Sequence, residues 1–268
     1  MSPQAGINWQ VMGFGNFSSF GETDMMLRNV NTCGVEVYDI NNNQITGANF
    51  MGTVGLDWQF SGVGNFSSRG TSDMLLRNSH TGGLEVYDIN SNQITNAAFL
   101  GTVGLDWQFS GVGNFSRMPG ETDLMMRNTN TGGLEVYDIA NNQITGAAFL
   151  GTIGLDWRFA GIAPAHAPGA SDLVLRNVNS GAFEAYDIAN NQITGAAALG
   201  SVGLDWQLGG FAVDPPTGSM GSSDSSTSQL VQAMAGFGGG SGAADGLNTA
   251  PLGAETSQQP SLTTPQHA

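Results

Sequence analysis

Residues 57–105 read DWQFSGVGNFSSRGTSDMLLRNSHTGGLEVYDINSNQITNAAFLGTVGL, and closely similar stretches recur along the chain. Apolar and polar residues alternate in Leu84–Ile89 with the period of two that is typical of a strand with one buried face. Turn-forming Gly and Asn residues separate four strand-sized segments, at 57–66, 72–78, 84–89 and 93–103. The stretch therefore predicts four short antiparallel strands.

Five tryptophans mark the repeats, with spacings of 49 or 50 residues, at Trp9, Trp58, Trp107, Trp157 and Trp206. Four strands per unit of this length is what one β-propeller blade requires, and a blade needs neighbours to bury both faces. We therefore predict an all-β fold, a β-propeller-like array of four-stranded antiparallel blades. It has four full repeats and a fifth opening strand, at about 8–56, 57–105, 106–155, 156–204 and 205–213.

The fifth strand leaves two arrangements open. It completes a small ring with material from the N-terminus, or it ends an open arc whose strand edges favour self-association. After the repeat domain, 1–213, the composition changes to Ser, Gly, Thr, Gln and Pro, which predicts a disordered tail at 214–268.

Composition and charge limit the classes of partner. The chain has 268 residues, no lysine, seven arginines and a net charge of −15, so we expect no nucleic-acid partner. No apolar run is long enough for a membrane helix, so we expect no membrane insertion. No Sec signal is recognisable, and we expect an extracellular or cell-surface protein exported through a C-terminal secretion signal. The single cysteine, Cys33, has no partner for an internal disulfide.

The loop after the first strand, Gly64-Asn65-Phe66-Ser67-Ser68-Arg69-Gly70 followed by Asp73, resembles the FG-GAP and VCBS repeat family. Members of that family carry Gly-Asp-Phe-Asn-Gly-Asp-Gly followed by Asp and form β-propeller domains in adhesion proteins, lectins and bacterial surface proteins. The resemblance covers about residues 8–213. It implies oxygen ligands for calcium, which match this chain at Asn16, Ser18 and Asp24, at Asn65, Ser67 and Asp73, and at Asn114, Ser116 and Asp123.

Because each loop keeps a single carboxylate at the matching positions, the resemblance implies weak calcium binding at most. Arg69 stands where a third carboxylate would be, and the fourth loop retains only Asp172. The alternative is that these aspartates accept backbone N–H groups across the turn and replace the ion.

Two other sets of polar residues repeat with the blades. Arg28, Arg77, Arg127 and Arg176 face repeated carboxylates in the sequence pattern, which favours one bidentate salt bridge per blade over ligand binding. Glutamate and tyrosine two residues apart are suited to sugar hydroxyls and ring faces, giving candidate ligand residues Glu36, Tyr38, Glu85, Tyr87, Glu135, Tyr137, Glu184 and Tyr186.

An enzyme is not expected, because the histidines occupy unrelated repeat positions and no serine lies in a Gly-flanked elbow. We expect a non-enzymatic binding module at the cell surface that binds a carbohydrate or adhesion ligand through repeated blade loops. The alternative is a structural or self-assembling scaffold that holds no small-molecule ligand.

Overall fold

The computed structural model describes residues 7–210. Within this range the regular secondary structure consists of β-strands alone. The tail predicted over 214–268 lies outside the described residues. No helix in 7–210 has the length and apolar character needed to cross a membrane.

Sixteen strands form four sheets, and each sheet consists of four strands that are consecutive in the chain and pair antiparallel in that order. The first blade contains β1 (Trp9–Gly15), β2 (Asp24–Asn29), β3 (Gly34–Asn41) and β4 (Gln44–Thr53). The second contains β5 (Trp58–Gly64), β6 (Asp73–Asn78), β7 (Gly83–Asn90) and β8 (Gln93–Thr102). The third contains β9 (Trp107–Gly113), β10 (Thr122–Asn128), β11 (Gly133–Ala140) and β12 (Gln143–Thr152). The fourth contains β13 (Trp157–Ala163), β14 (Asp172–Asn177), β15 (Ala182–Ala189) and β16 (Gln192–Ser201).

The predicted fold class is confirmed, because the four sheets are arranged as the blades of a four-bladed β-propeller. The fifth opening strand, predicted within 205–213, is corrected in its described part, because residues 206–210 form no regular secondary structure; residues 211–213 lie outside the described residues. Every first strand pairs with the second strand of its own repeat, and the described chain supplies no second strand after Trp206. A strand without a hydrogen-bonding neighbour leaves its backbone groups unpaired and does not persist.

Asparagine-rich turns join the third and fourth strands of each blade. In the second blade the turn residues Ser91 and Asn92 have φ values of 50° and 58°. Two consecutive residues with positive φ match the twist of a two-residue hairpin, and Asn tolerates this conformation better than most residues. The preceding turn depends on Gly82, where φ is 76° and an added Cβ would lie 1.9 Å from the carbonyl oxygen of Val103.

The hydrophobic core lies between successive blades and divides into three clusters. The phenylalanine of each Gly-Asn-Phe segment is fully buried, as the sequence predicts, at Phe17, Phe66 and Phe115. Trp58, Trp107 and Trp157 are partly buried against these clusters. Each blade is therefore stabilised by the next one, as expected for repeats that bury apolar surface only when stacked.

Glycines on the first strands allow close stacking. Gly13 of the first blade lies against Phe60 and Val63 of the second, and this arrangement recurs between the later blades. Val11 and Phe14, which occupy the positions of Phe60 and Val63 in the first blade, have no preceding blade in the described residues and are 55% and 56% exposed. The outer face of the first blade thus presents apolar side chains to solvent.

Candidate functional site

The third strand of each blade places the predicted glutamate and tyrosine on one face, because residues two apart in a strand point to the same side. The tyrosine hydroxyl donates to the glutamate Oε2 of its own strand. These distances are 2.7 Å from Tyr38 to Glu36, 2.9 Å from Tyr87 to Glu85 and 2.9 Å from Tyr186 to Glu184. The structure therefore brings each predicted pair together within its blade.

The environment of these tyrosines raises their pKa to about 12. For Tyr38 the hydrogen bond to Glu36 is the largest cause, followed by burial. For the other three, burial is the largest cause and the partner glutamate adds to it, as at Tyr87, Tyr137 and Tyr186. The hydroxyls consequently remain protonated donors at neutral pH and hold the carboxylates in place.

An exposed phenylalanine on the fourth strand extends this face, and the sequence reasoning missed it. Antiparallel register places Phe50 opposite Glu36, Phe99 opposite Glu85 and Phe149 opposite Glu135. Opposite residues share one face of a sheet, and each ring packs over the glycine two residues before the glutamate, at Gly34, Gly83 and Gly133. The three rings are 62%, 64% and 64% exposed, although the large majority of apolar residues at other repeated positions are buried or half-buried.

We call this face the Phe-Glu-Tyr face, and it differs among the blades. Tyr87, Tyr137 and Tyr186 pack against the core formed with the preceding blade, so their rings are partly covered. The phenylalanine is therefore the main exposed aromatic surface of the face. In the fourth blade Ala198 replaces it, and Glu184 and Tyr186 lack an aromatic neighbour across the strands. A Phe that recurs four residues after Gln-Ile-Thr in three of the four repeats was the available sequence signal.

The predicted calcium loops are closed by protein hydrogen bonds. Asp24 and Asp73 are fully buried, and Asp24 Oδ2 accepts the backbone N–H groups of Phe17 at 2.8 Å and Ser18 at 2.7 Å. Asp73 accepts the Ser67 N–H at 2.7 Å in the same way. The side-chain oxygens of the matching asparagines accept glycine N–H groups of their own loops, at Asn16 and Asn65. These aspartates thus take the structural role that the second interpretation gives them.

The third loop offers the best fit to a cation. Ser116 N–H donates to Asp123 Oδ2 at 2.6 Å, and Asp123 Oδ1, like Asp24 Oδ1 in the first loop, is buried without a partner in the described structure. Carboxylate oxygens of Glu121, Asp123 and Asp138 lie within 4.8 Å of one another. Burial is the largest cause that raises the pKa of Asp123 to about 6, and Asp138 adds to it. Asn114 supplies a further side-chain oxygen, which accepts from Ser116 Oγ at 3.4 Å.

In the second loop an arginine stands near the corresponding carboxylates, and in the fourth loop a histidine does. Arg69 Nη1 lies 3.3 Å from Asp88 in the second loop. In the fourth, His166 Nδ1 lies 2.8 Å from Asp172 and 3.7 Å from Asp187. The residues therefore fit calcium at the third loop and fit it poorly at the second, where a guanidinium occupies the space beside the carboxylate.

The four repeated arginines do not form the predicted salt bridges. Arg28 Nη1 donates to the carbonyl of Trp58 at 2.6 Å, and its Nη2 donates to the carbonyls of Gly55 at 2.8 Å and Val54 at 3.2 Å. The other three arginines donate to carbonyls of the equivalent segment that follows their own blade; they are Arg77, Arg127 and Arg176. The linker between blades bends out of the sheets and exposes carbonyls, which the guanidinium fork satisfies.

A second repeated contact joins neighbouring blades. Asn92 Nδ2 donates to Asp39 of the preceding blade at 2.6 Å, and Asn142 donates to Asp88 at 2.7 Å. Asn191 donates to Asp138 at 2.8 Å. The repeated Arg and Asn side chains are therefore used to hold blades together, whereas the Phe-Glu-Tyr face is a repeated group that stays available to solvent.

No family model and no curated protein matches this chain. Among solved structures, dihydro-heme d1 dehydrogenase NirN in complex with DHE is similar, with 12% sequence identity and a TM-score of 0.39. The match covers 65% of this chain and 35% of that protein, so the chain spans about a third of its length.

Proposed function

We propose that the protein is a non-enzymatic, extracellular or cell-surface module that binds carbohydrate through the Phe-Glu-Tyr faces of its blades. The observation that carries this proposal is the exposed ring of Phe50, Phe99 or Phe149 beside a half-buried glutamate in three successive blades. A flat aromatic ring covers the apolar face of a sugar, and a neighbouring carboxylate accepts hydrogen bonds from its hydroxyl groups.

The tyrosine has a supporting role at this face. Its hydroxyl holds the glutamate Oε2, as between Tyr87 and Glu85, and leaves Oε1 to accept from a ligand. One shallow site of this kind binds weakly. Three sites on one chain raise the apparent affinity for a polymeric ligand by about 10²–10⁴-fold when the spacing allows simultaneous contact.

A glycan array with multivalent display tests the proposal. The triple variant Phe50→Ala, Phe99→Ala, Phe149→Ala should lose binding while keeping its unfolding midpoint, because these rings are mostly exposed. Phe20→Ala is the matched control, since Phe20 is 79% exposed and lies in a loop outside the face. Undiminished glycan binding by the triple variant, or no binding by the wild type to any glycan, would overturn the proposal.

A second candidate function is a self-assembling scaffold without a small-molecule ligand. The exposed Val11 and Phe14 on the first blade favour it, because their counterparts in later blades are packed against a preceding blade. Sedimentation velocity should then show concentration-dependent assembly that Val11→Ser with Phe14→Ser abolishes. A monomer at all concentrations would exclude this candidate.

A further inference from the structure

Two arginines meet in a groove between the first strands of the third and fourth blades. This groove has a volume of about 480 Å³, and we call it the arginine groove. Gln108, Ser110 and Thr129 line it beside Arg127 and Arg158. The chain has a net charge of −15, so two neighbouring cationic side chains make this groove a locally positive region on an acidic protein.

Arg158 breaks the repeat at this position. The equivalent residue is glutamine in the first three blades, at Gln10, Gln59 and Gln108. Arg158 is exposed, and its hydrogen bonds within residues 7–210 run from Nη1 to the carbonyls of Leu155 at 2.6 Å and Trp157 at 3.5 Å. Its Nη2 and Nε donors are consequently available to a ligand.

Arg127 supplies the buried half of the groove. It is only 7% exposed, and its Nη groups donate to three linker carbonyls, whereas its Nε–H has no partner in the described structure. Burial and then the like charge of Arg158 lower the pKa of Arg127, with Asp156 acting in the opposite direction. Asp156 Oδ2 already accepts the Asn177 amide at 2.6 Å.

No carboxylate of residues 7–210 lies within 4.0 Å of the guanidinium nitrogens of Arg127 or Arg158. The positive charges of the groove are therefore not paired by an acidic side chain of the described chain. The Nε–H of Arg127 is inaccessible to solvent, as are those of Arg77 and Arg176, so Arg158 supplies the hydrogen-bond donors that a ligand in the groove can reach.

An aromatic pair forms the apolar wall of the groove. Phe109 and Phe159 meet edge to face, with ring centroids 6.1 Å apart and an interplanar angle of 66°. Phe159 remains 37% exposed, so a ring carried by the ligand has an aromatic surface to pack against.

We propose that the arginine groove binds a compact oxyanion, a carboxylate, sulfate or phosphate group, that is attached to an apolar ring. The anion accepts from the exposed Arg158 and is attracted by the neighbouring charge of Arg127, and the ring packs on Phe159. This site lies on the first and second strands, apart from the Phe-Glu-Tyr face on the third and fourth, and does not rest on the proposed carbohydrate function.

Phenyl phosphate and inorganic phosphate are the probes for this proposal, measured by calorimetry at low ionic strength. Arg158→Gln is the test variant, because it restores the residue of the other three blades and should preserve the fold. Arg117→Gln is the matched control: it removes the same charge from an exposed loop arginine outside the groove. Arg158→Gln should weaken phenyl phosphate binding about tenfold, and Arg117→Gln should change it less than twofold.

Inorganic phosphate gives a second comparison: it should bind the wild type more weakly than phenyl phosphate does, because it lacks the ring that packs on Phe159. Equal affinities for Arg158→Gln and the wild type would overturn the proposal. Equal losses for the two variants would also overturn it, because they would indicate a long-range charge effect instead of a site.

Discussion

Replacing Arg127 by alanine should uncouple the third and fourth blades. The side chain donates to the carbonyls of Gly154 at 2.7 Å and Ile153 at 3.2 Å in the linker between these blades, and to that of Trp157, the first residue of β13, at 2.5 Å. A hydrogen bond from a charged donor contributes about 1.5–3 kcal/mol. Water can reach the part-buried carbonyls, so the lower value applied to the two shorter bonds gives a loss of about 3 kcal/mol.

Urea unfolding followed by tryptophan fluorescence measures this loss, because Trp157 follows the linker directly and its carbonyl accepts a hydrogen bond from Arg127. The transition should also broaden, since stability in repeat proteins is a sum of unit and interface contributions. Arg117→Ala is the control, because its side chain is exposed and contacts His166 at 3.4 Å without binding a linker. It should change the free energy of unfolding by less than about 0.5 kcal/mol.

Arg127→Lys separates geometry from charge. An ammonium group cannot reproduce the planar fork that reaches several carbonyls at once, so about half of the stability loss should remain. Wild-type stability for Arg127→Lys would show that charge alone suffices. A loss below about 1 kcal/mol for Arg127→Ala would refute the reasoning on the linker carbonyls.

Three further predictions concern the loops and the contacts between blades. Calcium at several millimolar should raise the melting midpoint at pH 7 by binding to the third loop. This gain should vanish as the pH falls below about 6, because Asp123 then takes up a proton. A melting midpoint that neither calcium nor chelator changes at pH 7 would exclude the ion. Asn142→Ala should lower the free energy of unfolding in urea by about 1.5–3 kcal/mol, because it removes a hydrogen bond to Asp88. The equivalent change at Asn43 of the first blade, which is exposed, should leave this free energy almost unchanged. Similar losses for the two variants would contradict the role of the contact. Gly82→Ala should cost at least about 2 kcal/mol, since it adds a Cβ at positive φ against a backbone carbonyl, and a loss within 0.5 kcal/mol would contradict this geometry.

The blade could be predicted closely because its signals are local. Alternation in Leu84–Ile89 and turn chemistry at Ser91-Asn92 each depend on a few neighbouring residues, and the observed strand β7 begins and ends within one residue of the predicted segment. The partner of Arg77 could not be predicted in this way. Its acceptor is a carbonyl 27 residues later in the chain, and backbone acceptors leave no trace in residue identity.

The fifth strand failed for a related reason. The sequence of 205–213 has the pattern of a first strand, but a strand forms only when a neighbour satisfies its backbone groups. Trp206 nevertheless keeps one contact of its repeat, since its carbonyl accepts from Arg176 Nη1 at 2.7 Å. The arginine contact therefore recurs at Trp206, although residues 206–210 form no strand.

Departures from the repeat distinguish residues that hold blades together from residues free for another role. Arg127 and Asn142 recur because every blade boundary needs the same linker and turn contacts. Arg158 and Ala198 depart from their counterparts, and both change the chemistry of an exposed surface; Arg158 uses only Nη1 on the linker, at the carbonyl of Leu155. Arg158 adds a charge beside an already positive neighbour, which costs free energy unless an anion binds there. Exchange of that one side chain for the glutamine of the other blades is therefore the most economical test of whether the fourth blade has acquired a binding role of its own.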